Sequence, residues 1–166
     1  PVYAQRVVEH TTVVQYRKKW QADVYLTADA VVLASGHVLL IRRGGDVGYG
    51  QWAVPGGFVD RNERFYTAAL RELHEETGFK TLDSTMRRAM KDSQVFDHPL
   101  RSARGRLITH AFFFDLGAIR LPEIKGSDDA LDAKWVPLAE LSSMEDQLFE
   151  DHAAILDRFV GLYRAA

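Results

Sequence analysis

The chain has no cysteine among its 166 residues, which excludes a disulfide framework. It also lacks any run of about 20 apolar residues, the length that a transmembrane helix needs. No basic stretch followed by a short apolar segment is present, so the pattern of a secretory signal peptide is missing as well. These absences predict a cytoplasmic protein that has no disulfide and does not bind a membrane.

An excess of charge of one sign is also missing. The sequence has 21 Lys and Arg residues against 23 Asp and Glu residues, for a formal net charge of −2. A nucleic-acid backbone or an anionic membrane is bound through a broad cationic surface, which this balance does not favour. We therefore predict no nucleic-acid partner and expect a small molecule instead.

The length is that of one domain, because a chain of this size buries about 70% of its unfolded surface around a single core. The chain opens at Pro1 rather than at Met, and its first 20 residues are polar and aromatic, with a basic cluster at Arg17, Lys18 and Lys19. We predict that residues 1–20 are an N-terminal segment or a former interdomain linker of a longer polypeptide. Residues 21–166 are predicted to form the domain itself.

Hydrophobic patterns along the chain predict strands on both sides of one long helix. Asp23 to Leu33 and Val38 to Ile41 are apolar and β-branched on either side of a turn, which predicts a β-hairpin. Residues 84–92 have no clear period. The order of the elements favours an α/β (α+β) fold, with a mixed β-sheet between helices. The other predicted elements are a loop, helix and loop from Gly56 to Gly78, a strand over Ile108–Leu116, a short strand over Lys134–Val136 and a C-terminal helix from Asp151.

The segment from Gly56 to Phe79 holds glutamates at spacings that amphipathicity alone does not require. On a helix, residues three and four positions apart share a face, so Glu72, Glu75 and Glu76 are predicted to project together. Their like charges repel by roughly a few tenths of a kcal/mol per pair, so stability alone does not select this cluster. A bound divalent cation would make the interaction energy of the cluster favourable, and carboxylate oxygens suit Mg2+ or Mn2+. Because Mg2+ usually keeps waters and substrate phosphates among its ligands, the cluster predicts phosphate chemistry.

Residues around the cluster predict how the helix begins and ends. Asp60 or Asn62 is placed to cap its start, with Glu63 in the first turn near the positive end of the helix dipole. Gly78 suits the left-handed conformation that ends a helix. The planar guanidinium of Arg71 is expected to hold Glu63 or a neighbouring carboxylate in orientation.

The spacing from Gly57 through Glu63 to the run RELHEETGF over residues 71–79 resembles the Nudix box at every defining position. WAVPGGFVD, which leads into the box, and WVPLAEL, which lies downstream, are also similar to Nudix hydrolases. The resemblance implies an αβα Nudix sandwich that hydrolyses a nucleoside diphosphate linked to another group, using Mg2+ (or Mn2+) and an activated water. By position it implies metal binding by Glu72, Glu75, Glu76 and the Gly57 carbonyl, and a catalytic set of Glu63, Arg71, Glu72, Glu75 and Glu76.

The identity of the catalytic base stays open from the sequence. A carboxylate within hydrogen-bonding reach of the attacking water accepts its proton. The resemblance places this role either within the box or on a later loop, where Glu123, Asp128 and Asp129 are the candidates.

Two arginine-bearing segments are candidates for substrate binding. Arg42 and Arg43 open a glycine-rich loop that can line a phosphate pocket. Arg101, Arg104 and Arg106 place three cations within six residues. Guanidinium groups suit bidentate recognition of phosphate, and they also donate hydrogen bonds to a terminal ribose.

The second of these segments, FDHPLRSARGRLITH over residues 96–110, resembles Nudix domains of NAD metabolism. The similarity is to the ADP-ribose pyrophosphatase domain fused to nicotinamide mononucleotide adenylyltransferase. It implies hydrolysis of ADP-ribose to AMP and ribose 5-phosphate, a fused adenylyltransferase domain as a partner, and a homodimer. Trp52, with Tyr49 and Phe58, is the candidate for stacking on adenine.

Two alternative functions have sequence support. A Nudix hydrolase of another nucleoside diphosphate derivative, such as a dinucleoside polyphosphate, an oxidised nucleotide or a sugar nucleotide, has the same box. A non-catalytic regulator can also sense ADP-ribose through this fold. The intact box glutamates and the small number of residues after Leu141 count against the regulator.

Overall fold

The computed structural model describes residues 23–162, so the prediction for residues 1–20 lies outside the described part of the chain. Within that part, a mixed seven-stranded sheet is built around β1 (Val24–Ala34). β1 runs parallel to β6 and antiparallel to β2 and β4. β3 and β7 pair with β2, and β5 pairs with β6. The other strands are β2 (His37–Arg43), β3 (Trp52–Ala53), β4 (Gly56–Phe58), β5 (Met90–Phe96), β6 (Arg106–Asp115) and β7 (Ala130–Pro137).

Helices cover the two faces of this sheet. Side chains alternate along β1, so Ala30 and Val32 pack into one apolar cluster while Val31 packs into another. The first cluster takes in the apolar side of α1, and the second takes in the 3-10 helix and α3. The predicted mixed sheet between helices is confirmed. The helices are α1 (Phe65–Thr77), α2 (Asp83–Ala89), α3 (His152–Val160) and a 3-10 helix (Leu138–Gln147).

The strands agree with the hydrophobic patterns wherever a pattern was clear. β1 and β2 form the predicted hairpin, with Leu33 opposite Val38. Residues 84–92 lack a period because they span the junction of α2 and β5, two short elements with different repeats. None of the helices among residues 23–162 is long and apolar enough to cross a membrane.

The predicted start of the long helix is wrong by about one turn. α1 begins at Phe65 and has Arg64 at its N-cap position, without a side-chain cap and without an acidic residue in its first turn. Asp60 and Asn62 therefore do not cap it, and Glu63 lies before the helix. The physical reason is a competing set of contacts, since the Glu63 carboxylate accepts hydrogen bonds from the Asp60 amide and from Arg71. The helix ends as predicted at Gly78, whose φ is 64°.

Candidate active site

Arg71 ties the loop before α1 to the helix itself. Its Nε donates to Glu63 Oε1 at 2.9 Å, and its Nη2 donates to Glu63 Oε2 at 3.0 Å and to the Phe58 carbonyl at 2.9 Å. Its Nη1 donates to Glu72 at 2.7 Å and to Glu75 at 3.0 Å. The expected contact between Arg71 and Glu63 is thus present, and this hydrogen bond is the main cause that lowers the pKa of Glu63.

Glu76 is the buried member of the acidic cluster, with only 3% of its surface exposed. Its Oε2 accepts a hydrogen bond from the Gly56 amide at 3.0 Å. Burial raises the pKa of Glu76 to about 9, and the negative charges of Asp129, Glu72 and Asp29 add to the increase. A buried carboxylate surrounded by other carboxylates is stabilised by a cation, which is the electrostatic condition for a metal ligand.

The two glycines of β4 allow acidic side chains to approach the strand. A Cβ at Gly57 would lie 2.5 Å from the Glu72 carboxyl carbon, and a Cβ at Gly56 would lie 2.0 Å from Asp29 Oδ1. Larger residues at either position would collide with these carboxylates. The absence of a side chain at Gly57 therefore brings its backbone next to Glu72 of α1.

A cavity of about 310 Å³ lies between β4, the acidic side of α1 and a loop before β7. That loop is fixed to the end of α1, because the Ser127 amide donates to the Glu76 carbonyl at 3.0 Å and the Ser127 hydroxyl donates to the Glu75 carbonyl. The following residue, Asp128, has a φ of 55°. The cavity is lined by Arg43, Gly56, Gly57, Phe58, Asp60, Arg71, Glu72, Glu75, Glu76, Arg104, Asp128 and Asp129.

The carboxylates of this cavity are compatible with a divalent cation, although they do not form a closed site. Among residues 23–162, no three histidine or acidic side chains converge closely enough to enclose an ion. Glu72 and Glu75 are directed towards Arg71 instead. Since Mg2+ usually takes only one or two carboxylates and completes its shell with waters and phosphates, a closed set is not required. Gly57, Glu72, Glu75 and Glu76, the residues expected to bind the ion, all line the cavity, and Glu75 is the most exposed of the three glutamates.

The predicted substrate-binding arginines separate into two groups. Arg43 and Arg104 line the cavity beside the glutamates, and both guanidinium groups lie near the ring of Phe149, at 3.9 and 5.2 Å from its centroid. Arg42 donates to the Gly50 carbonyl, and Arg106 donates to the Asp97 carbonyl. The structure places neither Arg42 nor Arg106 in the lining of this cavity.

Arg101 and Trp52 do not line this cavity either, and each contacts other side chains. The Arg101 guanidinium is buried and makes two hydrogen bonds to Asp151, at 2.8 and 2.7 Å. Lys134 lies 4.4 Å from the ring centroid of Trp52 and covers one of its faces. Among the predicted aromatic residues, Phe58 is the one that lines the cavity.

Several residues of this region were not predicted from the sequence. Asp29 and His152 are buried next to the cavity, and Glu150 pairs with Arg104 at 3.1 Å. The signal for Asp29 was available, because a carboxylate interrupts the otherwise apolar middle of β1. His152 and Glu150 gave no signal, because their partners are distant in the sequence.

A family model of the NUDIX domain matches residues 24–159. The chain belongs to the Nudix family. As a Nudix hydrolase it acts on a small nucleotide derivative, and the hydrolases of this family use divalent metal ions.

Three relatives show which members of the family the chain is similar to. It is 28% identical over 159 residues to an ADP-ribose pyrophosphatase of Methanocaldococcus jannaschii, which covers 95% of this chain and 85% of that protein. A bifunctional NMN adenylyltransferase/ADP ribose pyrophosphatase of Francisella tularensis, complexed with AMP and a manganese ion, is 36% identical with a TM-score of 0.79. That match covers 90% of this chain and 46% of the Francisella chain, so this chain spans about half of its length. The NUDIX domain of NrtR from Shewanella oneidensis, complexed with ADP ribose, is 25% identical with a TM-score of 0.73, covering 91% of this chain and 96% of that domain.

Proposed function

We propose that this chain hydrolyses the diphosphate of ADP-ribose to AMP and ribose 5-phosphate, with Mg2+ as its metal ion and Mn2+ as a substitute. The observation that carries the proposal is a single cavity that combines a carboxylate cluster with two arginines besides Arg71, namely Arg43 and Arg104. The carboxylates suit a divalent cation and the guanidinium groups suit phosphate oxygens. The similarity to proteins named for ADP-ribose hydrolysis supports the choice of substrate.

Arg43 is the arginine best placed to bind the diphosphate. Arg104 shares its charge with Glu150, whereas Arg43 pairs with no carboxylate within 4.0 Å among residues 23–162. Burial lowers the pKa of Arg43, and the positive charge of Arg104 lowers it further. The charges of Glu76, Asp129 and Glu150 act on Arg43, but none of these carboxylates pairs with it. Its guanidinium therefore keeps donors for the oxygens of a diphosphate.

The reaction consumes one water molecule. The water oxygen forms a bond to one phosphorus of the diphosphate, and the bond from that phosphorus to the bridging oxygen breaks. The bridging oxygen leaves with the other phosphate, and a carboxylate accepts the proton that the water loses. A bound divalent cation neutralises charge on the diphosphate oxygens and activates the attacking water.

Asp129 is the carboxylate that we assign as the proton acceptor. Its charge raises the pKa of both Glu72 and Glu76, so it lies close to the acidic cluster. Glu72 and Glu75 are bound by Arg71, whereas the side chain of Asp129 makes no hydrogen bond or ion pair within the described residues. Glu123 does not line the cavity, which removes it from the three later-loop candidates.

The decisive experiment incubates the purified chain with ADP-ribose and Mg2+ and identifies the products by chromatography. Diadenosine polyphosphates and 8-oxo nucleotides are assayed in parallel. AMP and ribose 5-phosphate from ADP-ribose alone support the proposal, and cleavage of another compound instead would move the substrate while keeping the chemistry. Binding of ADP-ribose without turnover would favour a sensor, which the complex of the NrtR domain with ADP ribose makes a specific alternative.

Variants in the same assay test the residue assignments. Glu76→Gln keeps the volume of the side chain but removes its charge, and we expect kcat to fall at least about 100-fold. Asp129→Asn should lower kcat by about 100-fold with little change in KM, because proton transfer contributes roughly that factor. Glu123→Gln and Glu140→Gln are matched controls on exposed residues outside the cavity. Full activity of Glu76→Gln would refute the metal assignment. Full activity of Asp129→Asn would mean that Asp129 is not the proton acceptor and that a carboxylate of the Nudix box is.

The wider context remains a proposal as well. We propose a cytoplasmic role in NAD-related metabolism, a homodimer, and a fused adenylyltransferase domain in the longer polypeptide. The bifunctional Francisella protein, of which this chain matches 46%, supports the fused arrangement. Light scattering on the purified chain measures the dimer directly.

A further inference from the structure

A second, smaller chamber of about 30 Å³ adjoins the catalytic cavity. The two spaces share Arg43, Gly56, Gly57 and Arg104 in their linings, so they meet at β4. A space of this size holds one or two water molecules, or a single hydroxyl group of a larger ligand. Its walls are polar on one side, where Asp29, Arg101 and His152 reach it from β1, from the loop before β6 and from α3.

Asp29 presents an oxygen acceptor to this chamber. The residue is only 6% exposed, and its Oδ2 accepts a hydrogen bond from the Thr109 hydroxyl on the neighbouring strand β6. Its Oδ1 lies against Gly56, where the missing side chain leaves room. Among the described residues, Thr109 is the one donor in hydrogen-bonding contact with this carboxylate. A carboxylate can accept more than one hydrogen bond, so Oδ1 is available to a donor on a ligand.

Two of the three arginines in the chamber walls are engaged with carboxylates other than Asp29, and Arg43 pairs with none among the described residues. Arg101 is bound by both oxygens of Asp151, and Arg104 is paired with Glu150. His152 Nδ1 accepts a hydrogen bond from the Val54 amide at 3.1 Å, which leaves its Nε2 as the donor in the neutral ring. The chamber therefore offers an acceptor from Asp29 and donors around it. This combination matches a hydroxyl group, which both donates and accepts.

We propose that the chamber binds a ribose hydroxyl of the nucleotide substrate, with Asp29 accepting its hydrogen. This inference rests on the proposed function, because it needs a ribose next to the diphosphate. A phosphate is excluded by the volume and by the negative charge of Asp29. A metal cation is excluded by the guanidinium groups of Arg43, Arg101 and Arg104 in the same walls. Asp29 is thus a specificity-determining residue that contacts the sugar and leaves the chemistry at phosphorus to the box.

The test compares three substrates: ADP-ribose, its analogue without the 2′-hydroxyl of the adenosine ribose, and its analogue without the 2″-hydroxyl of the terminal ribose. Each is assayed with the unmodified protein and with Asp29→Asn and Asp29→Ala. Asn keeps the shape and weakens the acceptor, and Ala removes it. Asp83→Asn, on the exposed surface of α2, is the matched control. Thermal unfolding of every variant shows whether it is folded.

We expect Asp29→Ala to lower kcat/KM for ADP-ribose by about 10- to 100-fold, the effect of losing a hydrogen bond to a charged group. For the analogue that lacks the hydroxyl bound in the chamber, kcat/KM should be lowered by the same factor with the unmodified protein. Neither Asp29 variant should lower kcat/KM for that analogue any further. The position of that hydroxyl tells which ribose enters the chamber. Asp29→Asn should fall between the unmodified protein and Asp29→Ala.

Three results would overturn the proposal. Equal losses on all three substrates would mean that Asp29 orders the protein or holds a resident water. Unchanged kcat/KM in folded Asp29→Ala would mean that the carboxylate contacts no substrate. If the unmodified protein hydrolysed both deoxy analogues as fast as ADP-ribose, the chamber would bind no ribose hydroxyl.

The failure of the proposed function has a different signature. If ADP-ribose is not hydrolysed but another nucleoside diphosphate is, the comparison is repeated with that compound and its deoxy analogues. Calorimetric binding of the three ligands to Glu76→Gln gives the same comparison without turnover.

Discussion

Asp29 and His152 line the same small chamber, and burial moves their pKa values in opposite directions. For Asp29, burial raises the pKa from 3.8 to about 6, although the Thr109 hydrogen bond and the charge of Arg101 oppose the increase. For His152, burial lowers the pKa from 6.5 to about 3, and the positive charges of Arg101, Arg43 and Arg104 lower it further. Both groups are therefore held in their neutral forms by the folded protein at weakly acidic pH.

These two shifts have opposite effects on the free energy of unfolding. Below pH 6, folded Asp29 binds a proton that the unfolded chain does not bind until the pH approaches 3.8, so acidification through this window stabilises the fold. Below pH 6.5, His152 of the unfolded chain binds a proton that the folded protein does not bind until about pH 3, so acidification destabilises the fold. Between pH 4 and 6 the two contributions largely cancel.

We predict that single variants separate these contributions. Relative to the unmodified protein, His152→Asn should lose less stability on acidification from pH 6.5 to 4, and Asp29→Asn should lose more from pH 6 to 4. Each difference in slope should approach about 1.4 kcal/mol per pH unit. Urea unfolding at several pH values measures it. Curves that run parallel for all three proteins would contradict the assignment.

At the scale of elements, α1 and the loop before it act as one unit because Arg71 joins them. The guanidinium reaches Glu63 and the Phe58 carbonyl on the loop and Glu72 and Glu75 on the helix. A lysine at this position keeps the positive charge but lacks the planar guanidinium, so it cannot bind the loop acceptors and the helix acceptors at once. The orientation of Glu72 then depends on the loop as well as on the helix.

We predict that Arg71→Lys lowers kcat/KM at least about tenfold and lowers the free energy of unfolding by about 1–2 kcal/mol. Arg87→Lys on α2 is the matched control, because its pair with Asp83 is exposed to solvent and should contribute little to stability. Steady-state kinetics and urea unfolding measure both quantities. If Arg71→Lys matched the control in kcat/KM and in the free energy of unfolding, the planar guanidinium of Arg71 would not be needed.

The boundary of α1 shows how an element can be predicted only in part. The spacing of its apolar and acidic residues and the glycine at its end are local signals, and both were read correctly from the sequence. Its start was misjudged because Asp60 and Asn62 are suitable capping residues and Glu63 suits a first turn. Arg71, eight positions away, binds Glu63 instead, and the helix begins only after Arg64. Local propensity could not indicate that choice.

At the scale of the whole molecule, the apolar core and the acidic cavity are separate. No residue of the apolar clusters on the two sides of the sheet lines the cavity. We therefore expect the core to form without a metal ion, whereas a bound cation would offset the repulsion among the carboxylates of the cavity. Stability and activity should respond differently to metal removal.

We predict that chelation with EDTA abolishes turnover and leaves the chain folded. Adding Mg2+ back should raise the thermal midpoint, with a stabilisation of about 2.7 kcal/mol when the ion is at 100 times its Kd. The increase should be much smaller in Glu76→Gln, which lacks the buried charge. Circular dichroism and thermal unfolding with and without EDTA measure these effects. Unfolding on chelation, or an equal increase in Glu76→Gln, would contradict the prediction.

The sequence by itself identified the family of this protein, through the Nudix box. Glu72, Glu75 and Glu76 lie within one helix, so their spacing alone places them on a shared side, and Gly78 ends that helix. The hairpin and the C-terminal helix were also predictable, because each is defined by a short repeat of apolar residues. All of these features depend on neighbours a few positions apart.

Only the tertiary structure decided which other residues meet the box. Asp29 and Thr109 are 80 positions apart, Arg101 and Asp151 are 50 apart, and the parallel pairing of β1 with β6 and the packing of α3 bring them together. The same packing selected Arg43 and Arg104 for the cavity and left Arg42 and Arg106 outside its lining. Such contacts depend on how strands pair and helices dock over long separations, and a local pattern contains no information about that.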